Sequence, residues 1–169
     1  MGDQVFVARR RVLLKAGGVF LLAVLAGCNT ARVLTPEPGQ GSDQTEATLG
    51  LINALRARKG LEPLVRDAAA SSAALDQAAR MARAGRMQHN IGLGANFYDR
   101  MKGQGVALPA AENIAAGQDD AARAFYAWVR SPKHLVNMLG SNYRGLGVAV
   151  VKNPASGDRP YWAMVLSAG

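Results

Sequence analysis

The sequence carries one cysteine and two histidines in 169 residues. A lone Cys28 cannot form an internal disulfide, so no covalent cross-link holds the fold. Aromatic residues are 6% and charged residues 19%. No apolar run reaches the roughly 20 residues that a membrane-spanning helix needs; Ala16–Ala26 has eleven. No Gly-x-Ser-x-Gly elbow occurs, which removes the commonest serine-hydrolase signature. No internal repeat is visible. Basic residues are not interleaved with aromatics, so the pattern that binds single-stranded nucleic acid is missing, and no nucleic-acid partner is expected.

What is there describes one globular domain behind an export signal. Hydrophobic residues are 49%, above the range of disordered chains, and the length suffices for a real core. The formal charge of +8 is partly N-terminal. Without Arg9, Arg10, Arg11, Lys15 and Asp3, the 20 basic and 12 acidic residues fall to 16 and 11, a net of +5. Arg56, Arg58 and Lys59 sit near one expected helix end, and Arg80, Arg83 and Arg86 near another. There they complement the helix dipole and form a solvated face.

Residues 1–27 read as a signal peptide: a basic cluster, then the uncharged run Ala16–Ala26, then small residues. Arg10-Arg11-Val-Leu-Leu-Lys resembles a twin-arginine export signal, with Arg9 where Ser or Thr is usual. Leu25-Ala26-Gly27-Cys28 resembles a bacterial lipobox, which implies that Cys28 is lipidated and becomes the first mature residue. Asn29 replaces the Asp that often signals inner-membrane retention, which favours the outer membrane. Residues 28–42 hold Pro36, Pro38, Gly39 and Gly41 and read as a flexible tether. The expected location is exported and membrane-anchored, facing the periplasm or cell surface.

The domain is expected over residues 43–169. Ser42 caps a helix over Asp43–Lys59, with Gly60 as its stop. Asp67 caps a second to Ala84, ended by Gly85, with an alanine-rich face that lets another layer come close. A weaker helix covers Ala95–Lys102. Ala110–Ala116 is a strand-like segment. Asp119 caps a helix through Arg130, and Ser131-Pro132 opens another. The period then changes: Gly145–Lys152 and Tyr161–Ser167 form a hairpin across a longish loop. Helices first and a meander last give an α+β domain with helices on a small antiparallel sheet.

Taken in order, these residues resemble a family. They are His89 after a helix, Glu112-Asn113-Ile114-Ala115, Trp128-x-x-Ser131-x-x-His134-x-x-Asn137, Gly145-Leu-Gly147-Val and Tyr161-Trp162. The pattern resembles the CAP superfamily (cysteine-rich secretory, antigen 5 and pathogenesis-related-1 proteins, or SCP domains), most of all its cysteine-poor bacterial branch. It covers Leu49 to about Ser167. The resemblance implies an α–β–α sandwich with a small central antiparallel sheet. It also implies a cleft of two His and two acids, matched by His89, Glu112 and His134, with Ser131 where the fourth group is an acid.

In animal members the two His can bind a divalent metal such as zinc. His89, His134 and Glu112 supply three donors and leave a position open, as a catalytic zinc site does. His134 should tend toward neutral, because the helix N-terminus and Lys133 oppose its charge. Ser131 should spend its hydroxyl as helix cap, which argues against a Ser–His–Glu triad. His89 and Glu112 can equally form a hydrogen bond that pins a loop to the sheet. The reading favours a non-enzymatic, lipid-anchored module whose cleft of His89, Glu112, Ser131 and His134 takes a small apolar ligand, a peptide or a cell-wall fragment. A metal-dependent hydrolase using His89, His134 and Glu112, or a purely structural envelope protein, are the alternatives. For the anchor, Cys28→Ala is expected to release the protein from membranes; continued membrane association would refute lipidation at Cys28.

Overall fold

The computed structural model describes residues 41–92 and 95–169. The expected signal peptide, Cys28 and most of the tether lie outside them. The elements are β1 (Gly41–Asp43), α1 (Thr45–Ala57), β2 (Val65–Arg66), α2 (Ala68–Ala84), α3 (Phe97–Gly103), β3 (Ala111–Ala116), α4 (Ala121–Val129), α5 (Pro132–Met138), β4 (Gly145–Asn153) and β5 (Arg159–Ser167). A short 3-10 turn, Pro154–Ser156, sits in the hairpin loop. Among the described residues, no helix is long and apolar enough to cross a membrane.

The sheet runs β1-β4-β5-β3, all antiparallel, and β2 adds a short parallel pairing beside the start of β4. Side chains alternate across it, as a period of two requires. Leu146, Val148, Trp162, Met164 and Leu166 face a core shared with α1, α4 and α5. Ala149, Val151, Tyr161, Ala163 and Val165 face a second core shared with α2 and α3. Each face of the sheet therefore carries its own layer of helices, and the α–β–α sandwich of an α+β domain is the observed fold.

Local chemistry explains most boundaries. Asp67 Oδ1 accepts from the N–H groups of Ala69 and Ala70 at 2.8 and 3.1 Å, and Gly85 closes α2 in the left-handed region at φ +61. A Cβ on Gly147 would collide with the main chain of Ala70 and Ser71. Only glycine lets α2 lie this close to β4, and the alanines of α2 continue the contact.

Three expectations are corrected. Ser42 is not a helix cap: it lies in β1, paired with Val150, and α1 begins two residues later than expected, after Gln44. Asp120, not Asp119, caps α4, its carboxylate accepting from the Arg123 N–H at 2.7 Å. Arg56 does not belong to a solvated face. It is fully buried and donates to the carbonyls of Glu62, Met138 and Gly140 at 2.8–3.0 Å, tying α1 to the end of α5.

The Gly147 contact generates a prediction. Gly147→Ala should lower unfolding free energy by about 2–3 kcal/mol through overpacking against main chain. Urea denaturation measures it; an unchanged midpoint would show that α2 can move away from β4 at no cost.

Candidate functional site

The site is assembled where β3, the loop after α2, and the α4–α5 turn meet. β3 carries Glu112 toward the α2 and α3 side of the sheet. Glu112 is buried, with only 2% of its side chain exposed, yet it is ionisable. Such a group needs a charged partner. That partner is Arg100 of α3, 3% exposed, whose Nη2 donates to Oε1 and Oε2 at 3.0 and 2.9 Å. His89 Nδ1 lies 2.8 Å from Oε1. Since a carboxylate accepts, Nδ1 carries a proton and donates it to this bond. The His89 side chain is half exposed, at 49%, so it forms the rim of the site.

The loop is held from below. Gln77 of α2, wholly buried, donates through Nε2 to the carbonyls of Gln88 and His89 at 2.8 and 3.2 Å. Arg100 stacks 5.7 Å from the Phe97 ring centre. Its Nη1 is buried without a partner among the described residues.

His134 is placed by a second set of bonds. Asn113 of β3 donates to the His134 carbonyl at 3.0 Å, and Asn137 donates to Asn113 Oδ1 at 2.8 Å. These amides fix α5 beside β3. Asn113 thus satisfies a main-chain carbonyl of α5 from the strand. The His134 pKa is lowered, first by burial and then by the charge of His89. The direction agrees with expectation, but the causes differ: Lys133 is exposed and is not among them.

Ser131 needs a correction. It occupies the N-cap position of α5, with Pro132 first in the helix, but its hydroxyl makes no cap hydrogen bond. That hydroxyl is not spent on the helix. A hydrolytic pairing fails for another reason: His134 Nδ1 has no partner, so no Ser131–His134 hydrogen bond exists at that nitrogen. Glu112 is engaged by Arg100 and His89, away from His134. The triad geometry is not assembled.

The donor set also bears on a metal. Both Glu112 oxygens face a guanidinium, and Ser131 offers a neutral hydroxyl rather than a carboxylate. Among the described residues, no three His, Cys, Asp or Glu side chains gather as a metal cage. These residues do not fit a divalent cation in this arrangement.

Beside this network lies a cavity of about 220 Å³. It is lined by Met87, by Ile114–Ala116 of β3, by Gln118, and by Ala127, Trp128, Ser131 and His134 of the α4–α5 region. Three of these residues have buried polar atoms without a partner among the described residues: Trp128 Nε1, Gln118 Oε1 and His134 Nδ1. Buried polar groups are nearly always hydrogen-bonded; these three atoms are shielded from solvent, so they lie behind the cavity wall rather than on its surface.

Sequence reasoning finds His89, Glu112, Ser131 and His134, and the structure brings all four to this region. It misses Arg100 and Gln118. Arg100 has one available signal: an arginine within the apolar face of a short helix, next to Met101. The ion pair generates a prediction. Arg100→Met should destabilise the domain by about 3–5 kcal/mol, because it leaves Glu112 charged and buried. Adding Glu112→Gln should recover part of the loss. Chemical denaturation of both variants checks this, and a single mutant as stable as wild type would mean that the pair is not carrying the charge.

Comparison with known proteins places this geometry. The model of the cysteine-rich secretory protein family (CAP) matches residues 49–166. The uncharacterized protein YkwD of Bacillus subtilis is 31% identical over 120 residues, 70% of this chain and 47% of that protein. The chain thus spans about half the length of that relative. An extracellular protein containing an SCP domain from Bacillus anthracis has a TM-score of 0.65 at 25% identity, over 73% of this chain and 40% of that one. An outer surface protein from Borrelia burgdorferi has a TM-score of 0.64 at 20% identity, over 76% of this chain and 97% of that one, a likeness of fold. With the match running from α1 to β5 through every residue of the site, the chain belongs to the cysteine-rich secretory protein (CAP) family.

Proposed function

We propose that this protein is an exported, membrane-anchored binding module, held at the envelope by lipidated Cys28, whose cleft receives a ligand without transforming it. The observation that carries the reading is how the chemistry-bearing side chains are used. Glu112, the only acid of the cleft network, neutralises Arg100 inside the protein and orients His89. A general base or nucleophile needs its lone pair directed at substrate; this carboxylate is directed at the scaffold. The cavity beside it is lined by apolar strand residues together with the polar side chains of Gln118, Ser131 and His134, which suits recognition of a ligand with both kinds of group. The extracellular and outer-surface relatives support export, as does the N-terminal signal pattern. The periplasm or cell surface is the compartment this reading assigns, on the outer-membrane side by Asn29.

Native mass spectrometry of protein released gently from the envelope tests it. A co-purifying small mass is expected with the wild type and not with Ala127→Trp, which fills the cavity from the α4 wall. An empty wild-type cleft in repeated preparations would count against binding. Calorimetry tests the metal-dependent alternative: zinc added to chelator-stripped protein should give the same heat with wild type and with a His89→Ala, His134→Ala double variant. Zinc binding lost only in the double variant would replace this reading with the metalloenzyme one.

A further inference from the structure

We propose that the guest of the cleft is a short extended peptide that adds beside β3, with its terminal carboxylate at Arg130. This deepens the binding-module reading and rests on it.

The argument begins with strand geometry. Successive residues of a strand point to opposite faces of the sheet. Ile114 and Ala116 accordingly pack with the α2-side core, and Ala115 with the other. Yet all three line the same cavity of about 220 Å³. A cavity over one face of a sheet meets alternate residues. One that meets three in a row lies along the strand's edge. β3 ends the path β1-β4-β5-β3, so among the described residues no strand lies beside this edge. In an antiparallel strand paired on one side, every second residue turns its N–H and C=O outward. On β3 those groups belong to the free edge. An extended peptide offers matching donors and acceptors at the same spacing, and edge addition is a recurrent way of binding one. A small apolar molecule offers nothing to that edge.

The far end supplies the charge. Gln118 also lines a second cavity, of about 400 Å³, with Tyr126 and Arg130 on its α4 side. The two cavities therefore adjoin at Gln118, just beyond the end of β3. Of the cations there, Arg123 is paired with Asp119 and Asp120. Arg130 is exposed and makes no ion pair among the described residues. Arg130 can form a forked, two-bond contact with a carboxylate, beside the half-exposed Tyr126 ring.

The test uses the full chain purified from membranes in detergent and two synthetic pools of N-acetyl tetrapeptides, one with free C-termini and one amidated. Hydrogen exchange is read along Ala111–Gln118. The acid pool should slow exchange at Ile114–Ala116. The amidated pool should bind about five-fold more weakly, as one exposed ion pair implies, and Arg130→Gln should erase the difference. An N-methylated acid pool, lacking main-chain donors, should not protect the strand. Protection by N-methylated peptides, equal binding of acid and amide pools, or no protection at all would overturn the proposal. So would protection that rises with protein concentration alone, since a second copy would then own the edge. If the pools fail while a co-purifying mass is still lost in Ala127→Trp, the peptide is wrong and the binding module stands. If both fail, both readings fall.

Discussion

The Glu112 carboxylate is the constraint on which the site depends. It sits on a buried strand, where an unpaired charge costs several kcal/mol. The cost is offset only if Arg100 reaches it, and Arg100 reaches it only if α3 packs at the right height beside β3. His89 completes the set, which fixes the loop after α2. Gln77 then holds that loop's carbonyls from inside α2. One acid thus organises three elements from separate parts of the chain. Met87, two residues before His89, takes its place at the cleft rim as a consequence.

The opposite wall has a different origin. Asn113 neighbours Glu112 on the strand and so points to the other face of the sheet. There it joins His134 and Asn137 of α5. Adjacent strand residues therefore anchor the two walls, one by an ion pair and one by amides. The cleft is the gap between them. Its width is set by the sheet's edge rather than by any flexible loop, and Arg56 braces the far end of α5 through the Met138 and Gly140 carbonyls.

Much of this is legible in the amino-acid sequence. Asp67 and Gly85 bound α2 because caps are local chemistry. The switch to period two marks β4 and β5 because alternation is local as well. What the sequence hides depends on distant partners. Arg56 reads as a solvated cation because charged residues usually are, and Arg100 draws no reading at all. Their acceptors are Glu112 and carbonyls as far away as Met138 and Gly140, which no window around either arginine contains. Ser42 stands before an acidic residue and a helix, a sound capping pattern. It loses to pairing with Val150, more than a hundred residues on. Ser131 does mark the boundary of its helix, but its hydroxyl does not cap it, since cap geometry depends on a rotamer that the sequence does not encode.

The same network decides what kind of chemistry the cleft can support. Glu112 and Arg100 cancel each other where water is excluded. His134 is biased toward its neutral form by burial and by His89. Ser131 brings a neutral hydroxyl to the same wall. Each leaves the cleft wall without a free charge and with a hydrogen-bonding group. On the reading proposed above, a wall of that kind has little free charge to offer a developing charge of the sort an oxyanion hole or metal centre stabilises. It can distinguish one arrangement of donors and acceptors from another, because an unmatched buried polar group costs more than a matched one contributes. On the binding-module reading proposed above, one interaction, the Glu112–Arg100 pair, accounts both for the shape of the cleft and for its lack of a free carboxylate.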